Sequence, residues 1–465
     1  MAELHVWMNG LHVGAWSTLR TGTPVFRYAE SWARADEGRA LSLSLPLTAS
    51  LEHRGDVVTH YFDNLLPDSA AIRRRLRSRF RARSTEAFDL LTAIGRDCVG
   101  AVQLLPAGEE PAGWNTIEAE PLDDVAVERT LAAVTSDAPL GQRDEDDLRL
   151  SIAGAQEKTA LLRIGRRWHR PRGATPTTHI LKLPLGLVGN MRADMSTSVE
   201  NEWLCSRLVR ALGLPVADTG IAHFGSTKVL VVTRFDRRWV GIDEGAQDKA
   251  RFRPPAGAWI ARLPQEDFCQ ALGVAPDRKY QSDGGPSMID CLAVLANGER
   301  PEDDRHQFVL AQFAFWLLAA TDGHAKNFSI QHRRGGRFGL TPLYDVLSAW
   351  PIIGDGANRI PYPRAKLAMG VKATDMHYRL QDIQPRHWQR LATTATPEAW
   401  PRMLAMAEQV DEALDTVERE LPEGFAVRVW EAVRSGMRRH AALFLSAAAA
   451  KAAAQNGPTG RRLGS

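Results

Sequence analysis

The chain is 465 residues long, more than one small hydrophobic core can use, so two or three domains are expected. Apolar residues make up 44% and charged residues 24%, and a net charge of only +3 means that the molecule as a whole is no polyanion binder. Its four cysteines (Cys98, Cys205, Cys269 and Cys291) form no C-x-x-C pair, so neither a zinc cluster nor a disulfide framework is expected. The N-terminal MAELHVWMNG lacks the basic and apolar regions of a signal peptide, and the longest apolar run is shorter than the ~20 residues of a membrane span. A cytoplasmic protein without membrane contact is the expectation.

In chain order, LHVWMNGLHVGAW (4–16) carries Asn-Gly between two β-rich arms, a hairpin signal. AIRRRLRSRFRAR (71–83) reads as a helix with Ile72, Leu76 and Phe80 on one stripe and seven arginines around it. Two readings stay open for it: a solvated helix lying on its domain, or a contact surface for phosphates or an acidic partner, since no acid compensates it. The polar stretch 107–125 reads as a linker, and 240–257 as a loop between a mixed α/β region and a mostly helical one. The Ala-rich C-terminus reads as a fraying helix end followed by disorder.

The chemistry begins at TDGHAKNFSI (321–330), which follows the apolar run FVLAQFAFWLLAA (308–320). Asp322 and Asn327 stand five residues apart where a buried helix ends. By itself this fits a helix stop with Gly323 in the turn and Asn327 capping the next element. It also fits phosphoryl transfer, where an acid orients the attacking hydroxyl and an amide oxygen binds Mg²⁺. LTPLYDVLSAW (340–350) reads as a strand delivering Asp345 at its end, a second hard oxygen ligand for that ion. Upstream, SIAGAQEK (151–158) reads as a loop between two short strands, with Gly154 and Lys158 positioned for an anion, although it is no Walker A loop. THILKLP (178–184) places Lys182 on a strand, and Glu202 follows on the amphipathic helix 199–214, with Glu200 close by. VLVVTRFDRRW (229–239) reads as a strand and a linker whose Thr233, Arg234 and Phe235 offer backbone to adenine and whose Asp236 offers a carboxylate to ribose. Each piece alone has an ordinary structural explanation. The order of loop, lysine strand, glutamate helix, linker, Asp/Asn loop and second Asp is that of an ATP-dependent phosphotransferase.

Together with FDNLLPDS (62–69), FDLLTAIGRDCVGAV (88–102), LPQEDFCQ (263–270) and SDGGP (282–286), these blocks resemble the HipA-type serine/threonine kinases, toxins of bacterial HipBA toxin–antitoxin modules. The resemblance implies an α+β, two-lobed protein-kinase-like fold. It implies an N-terminal subdomain over 1–105, a connecting segment over 106–147 and an N-lobe part over 148–240. A helical C-lobe over 258–445 and a tail over 446–465 would follow. Asp322 would orient or deprotonate the acceptor hydroxyl, Asn327 and Asp345 would bind Mg²⁺, and Lys182, paired with Glu202, would hold the ATP phosphates. Ile152, Ala153, Gly154, Ala155, Gln156, Glu157 and Lys158 would form the phosphate loop. His324 and Asp236 would lie near the ribose, and Lys326 would face the nucleotide. Ser151 would be autophosphorylated, adding charge that repels ATP. The implied partners are a HipB-like helix-turn-helix antitoxin, operator DNA through that complex, and a translation component as substrate, an aminoacyl-tRNA synthetase of glutamyl type. The chain lacks the G-x-G-x-x-G, H-R-D and D-F-G motifs of eukaryotic kinases. A DNA-associated regulatory subunit with secondary kinase activity is the alternative.

Overall fold

The computed structural model describes residues 2–135, 151–154, 156–189 and 192–456, with side chains to residue 450. The Asn-Gly signal folds as a hairpin. Strands Glu3–Met8 and Leu11–Thr18 pair with Met8 opposite Leu11, and both turn residues take positive φ, 45° at Asn9 and 82° at Gly10. Such a two-residue turn matches the twist of its strands, and Asn and Gly tolerate it best. A five-stranded antiparallel sheet grows around the hairpin in the order Glu52–Arg54, Pro24–Tyr28, Leu11–Thr18, Glu3–Met8, Val102–Pro106. Its inner face packs Val6, Trp16 and Phe26 with Phe62 of the helix Asp56–Asp63, the Trp16 and Phe62 rings stacking at 4.2 Å.

The Arg-rich helix spans Ala70–Phe80. It starts at Ser69, whose side chain accepts from the Ile72 N–H, and stops where Arg81 turns left-handed. Leu76 and Phe80 rest on the N-terminal core. Three of its arginines are engaged: Arg73 with Asp63 at 2.6 Å, Arg75 with Glu157 beside the phosphate loop, and Arg79 with the Ala133 carbonyl at 2.8 Å. Arg74, Arg77, Arg81 and Arg83 are exposed. The helix is therefore partly solvated and partly a strut to the second sheet, whose acid Glu157 supplies the compensation that the helix itself lacks.

That second sheet has the order Thr219–Phe224, Thr227–Thr233, His179–Lys182, Lys158–Ile164, Arg167–Pro171, Ala119–Leu122. Residues 119–134, expected in a connecting segment, supply its edge strand and the helix Asp124–Val134, which packs Val127 and Leu131 on Leu161 and Leu181. Glu120 and Pro121 are exposed there. A charge and a proline are compatible with a strand only at such an edge, which is why the stretch reads as a linker. Of the remainder, 136–147 lies outside the described residues, as does the expected first arm of the 148–164 hairpin up to residue 150. Ser151–Ala153 carry no strand.

The other half is helical. Helix Pro301–Leu317 runs through the middle of the largest core, against Met288–Leu295, Pro385–Ala395, Ala399–Glu408 and Val427–Asn456. Residues 241–257 form a loop with one 3₁₀ turn, Ala246–Asp248, between the paired strands Arg237–Val240 and Trp259–Arg262. The Ala-rich stretch continues the last helix to Asn456, and 457–465 lie outside the described residues. The architecture is α+β, with a sheet-rich half, a helical half and a cleft between them, as a two-lobed protein-kinase-like fold requires. No helix among the described residues is long and apolar enough to cross a membrane.

One expected strand is absent. Only Phe338–Leu340 of the stretch before Asp345 is a strand. Pro342 has no N–H to extend the ladder, and Asp345 has φ 59°, outside β space. Asp345 thus stands in a loop, tied by Leu343, which donates to the Pro215 carbonyl at 2.9 Å and accepts from the Ala217 N–H at 2.8 Å.

Candidate active site

A cleft enclosing about 1020 Å³ lies between the two halves. Ile180, Val232 and Phe235 give it an apolar wall, and Ile152, Ala153, Gly154, Lys158 and Lys182 line it beside Asp322, His324, Lys326, Asn327 and Asp345. Residues separated by up to 193 positions therefore meet at one site.

The core helix explains how Asp322 is held. It ends not at Gly323 but at Ala319, which is left-handed (φ 48°) and donates to the Trp316 carbonyl, while Ala320 donates to the Phe315 carbonyl at 2.7 Å. This pair of bonds is a Schellman stop with alanine where glycine is usual, at a backbone cost of about 1 kcal/mol. Gly323 is needed for a different reason: a Cβ there would stand 2.3 Å from the Phe315 ring. The loop then closes on itself, as His324 N–H and Asn327 Nδ2 both donate to the Asp322 carbonyl, at 2.8 and 3.0 Å. Asn327 keeps its amide oxygen for another partner. The Asp322 carboxylate stays 62% exposed to the cleft and accepts from the Tyr280 hydroxyl at 2.5 Å. Desolvation by the cleft walls pushes its pKa up, and the Tyr280 bond pulls it down.

Lys182 sits at the end of its strand with both neighbours expected of it. Its Nζ donates to Glu202 at 2.6 Å and to Asp345 at 2.8 Å. Burial opposes its charge, yet two carboxylates hold it well above the usual lysine range. Asp345 is likewise penalised by burial but drawn well below the usual carboxylate range by Lys182 and Lys158. Glu200 pairs with Lys228 at 2.5 Å. Two helix residues two apart point some 200° away from each other, so only one can face the lysine strand. Asn201 fastens the same helix to the Asp345 loop, donating to the Ser348 carbonyl at 2.7 Å and accepting from its N–H at 2.9 Å. Tyr344 fixes the other end by donating to the Lys326 carbonyl at 2.9 Å.

The phosphate loop is split in orientation. Gly154 has φ 110°, and a Cβ there would meet Lys158 Nζ at 2.7 Å, so the glycine keeps a small cradle open. Lys158 reaches into the cleft, and burial lowers its pKa to about 8. Gln156 instead donates to the Leu183 carbonyl at 2.5 Å, and Glu157 pairs with Arg75, so neither lines the cleft. Ala155 lies outside the described residues. Ser151 is fully buried, its hydroxyl donating to the Leu65 carbonyl at 2.7 Å.

Three of the expected nucleotide-facing residues have surroundings that the sequence did not indicate. Lys326 lines the cleft but donates to Asp68 at 3.0 Å and to the Asn64 carbonyl at 3.2 Å, both from the N-terminal unit. Asp236 and Arg234 belong to a buried ion cluster with Asp97, Arg237 and Arg262. In it Arg234 pairs with Asp236 at 2.7 Å, Arg237 with Asp97 at 2.9 Å and Arg262 with Asp97 at 3.1 Å. Asp236 also accepts from the Gly100 N–H at 2.7 Å. Both its oxygens are thereby engaged by protein groups, while Asp236 still lines the cleft. Of the linker, Thr233, Arg234, Phe235 and Asp236 all line the cleft. His324 is buried, with Nδ1 unpartnered and its ring against Tyr280, and burial lowers its pKa to about 3, leaving a neutral imidazole.

Sequence reading missed Asp68, Asn201, Lys279 and Tyr280. Asn201 lies on the amphipathic helix 199–214 but not in a pattern that marks it. For the other three, their place in FDNLLPDS and just before SDGGP was the only signal, and it came from the resemblance.

A Mg²⁺ ion bound by protein alone would need more ligands than are present, since no group of three His, Cys, Asp or Glu side chains among the described residues could hold a metal. A site shared with phosphates needs only one or two oxygen ligands. Anionic Asp345 and the free amide oxygen of Asn327 fit that role, and the unpartnered His324 Nδ1 leaves a polar atom for a ligand.

Comparison with known proteins agrees over most of the chain. Residues 4–105 match the family described as the HipA N-terminal domain, and 150–421 match the HipA-like C-terminal domain. Y4mE of Sinorhizobium fredii is 33% identical over 398 residues, covering 84% of this chain and 85% of its own. The serine/threonine-protein kinase toxin HipA of Shewanella oneidensis is 26% identical over 362 residues, 74% of each chain. The solved HipA chain from the S. oneidensis MR-1 complex of HipA, HipB and operator DNA shares the fold, with a TM-score of 0.74 at 23% identity over 95% of this chain and 97% of that one. With the longer family match alone taking in more than half of its length, this chain belongs to the HipA family.

Proposed function

We propose that this protein is a Mg·ATP-dependent serine/threonine protein kinase acting as a toxin. The carrying observation is the meeting of Lys182, Glu202 and Asp345 in one cleft with Asp322 and Asn327. Lys182, fixed by Glu202, presents an ammonium to the ATP phosphates, and Lys158 adds a second charge from the loop. Asn327 and Asp345 would hold Mg²⁺, whose charge would offset that of the phosphates. The Asp322 carboxylate accepts the proton of a serine or threonine hydroxyl. That oxygen bonds to the γ-phosphorus, the β–γ bridging P–O bond breaks, and ADP leaves with the electron pair. His324 Nδ1 is the remaining polar group for the nucleotide.

The S. oneidensis relative named as a kinase toxin, whose structure contains HipB and operator DNA, supports the same biology here. The antitoxin is then a HipB-like helix-turn-helix protein, the setting is cytoplasmic, and the substrate is an aminoacyl-tRNA synthetase of glutamyl type. Autophosphorylation at Ser151 requires the phosphate loop to leave its seat, because the hydroxyl is buried under Leu65. A phosphate there cannot return to that seat, which makes it an off switch. The test is Asp322→Gln with labelled ATP. Incorporation should fall by about 10²- to 10⁴-fold with ATP binding kept, and an undiminished rate would refute the assignment. The four exposed arginines, Arg74 and Arg77 on the helix Ala70–Phe80 and Arg81 and Arg83 just after it, keep a second reading in play, contact with operator DNA. Operator affinity of the antitoxin across ionic strength, with and without this chain, decides it, and an unchanged salt slope removes it.

A further inference from the structure

We propose that Asp68, contributed by the N-terminal unit, is a positioning residue of the phosphotransfer site, joining the phosphate loop to the catalytic loop. The inference rests on the kinase reading above and gives a role to a residue to which that reading assigns none. Asp68 lies in the short turn between the helices Asp56–Asp63 and Ala70–Phe80, directly after Pro67. Its side chain is 14% exposed and its two oxygens have different partners: Oδ2 accepts from Lys279 at 2.7 Å and Oδ1 from Lys326 at 3.0 Å. Its N–H donates to the Gly154 carbonyl at 3.1 Å, beside a parallel bridge between Pro67 and Gly154.

Each contact ends next to a working group. Gly154 is the residue whose open backbone forms the phosphate cradle. Lys326 precedes Asn327 in the loop closed on Asp322. Lys279 precedes Tyr280, whose hydroxyl donates to the Asp322 carboxylate. One residue thus meets the three segments that would hold the phosphates, the ion ligand and the base, the first through its backbone N–H and the other two through its carboxylate. A buried lysine has a flexible stem and a costly charge, and an anion with fixed partners settles both rotamer and charge. With two ammonium groups on one carboxylate, a positive charge is left over at the cleft, on the side where phosphates would sit. The N-terminal unit is therefore part of the catalytic apparatus and not only a neighbour of it.

The experiment compares wild type with Asp68→Asn, which keeps the shape and the bond to Gly154 but removes the charge. The expected result is a loss of kcat on the order of ten- to a hundredfold, with the ATP KM and Tm near wild type and partial recovery in Asp68→Glu. Adding Lys279→Met or Lys326→Met to Asp68→Asn should cost less than the sum of the single effects, because the three act as one unit. An unchanged kcat, or a loss that only tracks a lowered Tm, would overturn the proposal. If Asp68→Asn does not fold, Asp68→Glu and Lys279→Met carry the same comparison. If wild type itself transfers no phosphate, the kinase reading falls. The tether is then tested alone by deuterium uptake in the peptides carrying Lys279 and Asn327, which should rise in Asp68→Asn, and unchanged uptake would refute it.

Discussion

The cleft and the cluster of Asp97, Arg234, Asp236, Arg237 and Arg262 both concentrate charge out of water, yet they differ in how completely the charge is answered. In the cluster the carboxylates are met by guanidinium groups and by backbone, and the arginines also donate to the carbonyls of Cys98, Gly100 and Ala174, with Arg237 Nε left unpartnered away from the cleft. In the cleft, Lys158 leans on no hydrogen bond among those found in the described residues, the His324 Nδ1 is unpartnered, and Asp322 is open. Both regions shift pKa values strongly, with Asp97 and Asp345 each held well below the carboxylate range. Perturbation alone therefore does not mark a functional site. Incomplete satisfaction facing a cavity does.

That contrast can be broken by exchanging the expected phenotypes. Asp345→Asn should reduce phosphotransfer by ~10²- to 10³-fold while leaving the Tm near wild type, read by labelled ATP and calorimetry. Asp97→Asn should do the reverse, leaving buried arginines short of a partner at a cost of about 3–5 kcal/mol, seen as a Tm lower by on the order of 10 °C. An inactive but stable Asp97→Asn protein would show that the cluster belongs to the site. Tyr280→Phe removes one bond to the catalytic carboxylate and should lower kcat by about tenfold, and a gain in activity would show that the phenol competes with the substrate.

The smallest effect is in pH. Burial lowers the Lys158 pKa to about 8, so its amine is charged below that value and neutral above it. The kcat/KM for ATP should therefore fall by a few-fold as pH rises through about 8. Lys158→Arg, always charged, should flatten that limb, and a limb that survives the exchange belongs to another group.

The signals that were local in the chain were legible in it. Asn9-Gly10 made its hairpin, the stripe of Ile72, Leu76 and Phe80 made its helix, and the polar burst after Ala320 made the loop of Asp322 and Asn327. The strand expected before Asp345 failed on one proline and one left-handed residue. The linker read at 107–125 holds for 107–118, which carry no helix or strand, and gives way at Ala119–Leu122 because an edge strand needs no alternating pattern on its solvent side.

The amino-acid sequence by itself determined which chemistry the site has: hard oxygen ligands, two lysines and an acid, in an order that phosphoryl transfer uses. It also determined the local turns and helices, because those depend on side chains a few residues apart. Only the tertiary structure decided which groups of that inventory touch. It chose Glu202 over Glu200, took Asp236 and Arg234 into a buried cluster, and brought Asp68 from the first hundred residues to Lys326. Such choices depend on how helices are rotated and sheets stacked across hundreds of residues, where packing decides each contact and no short pattern in the chain records it.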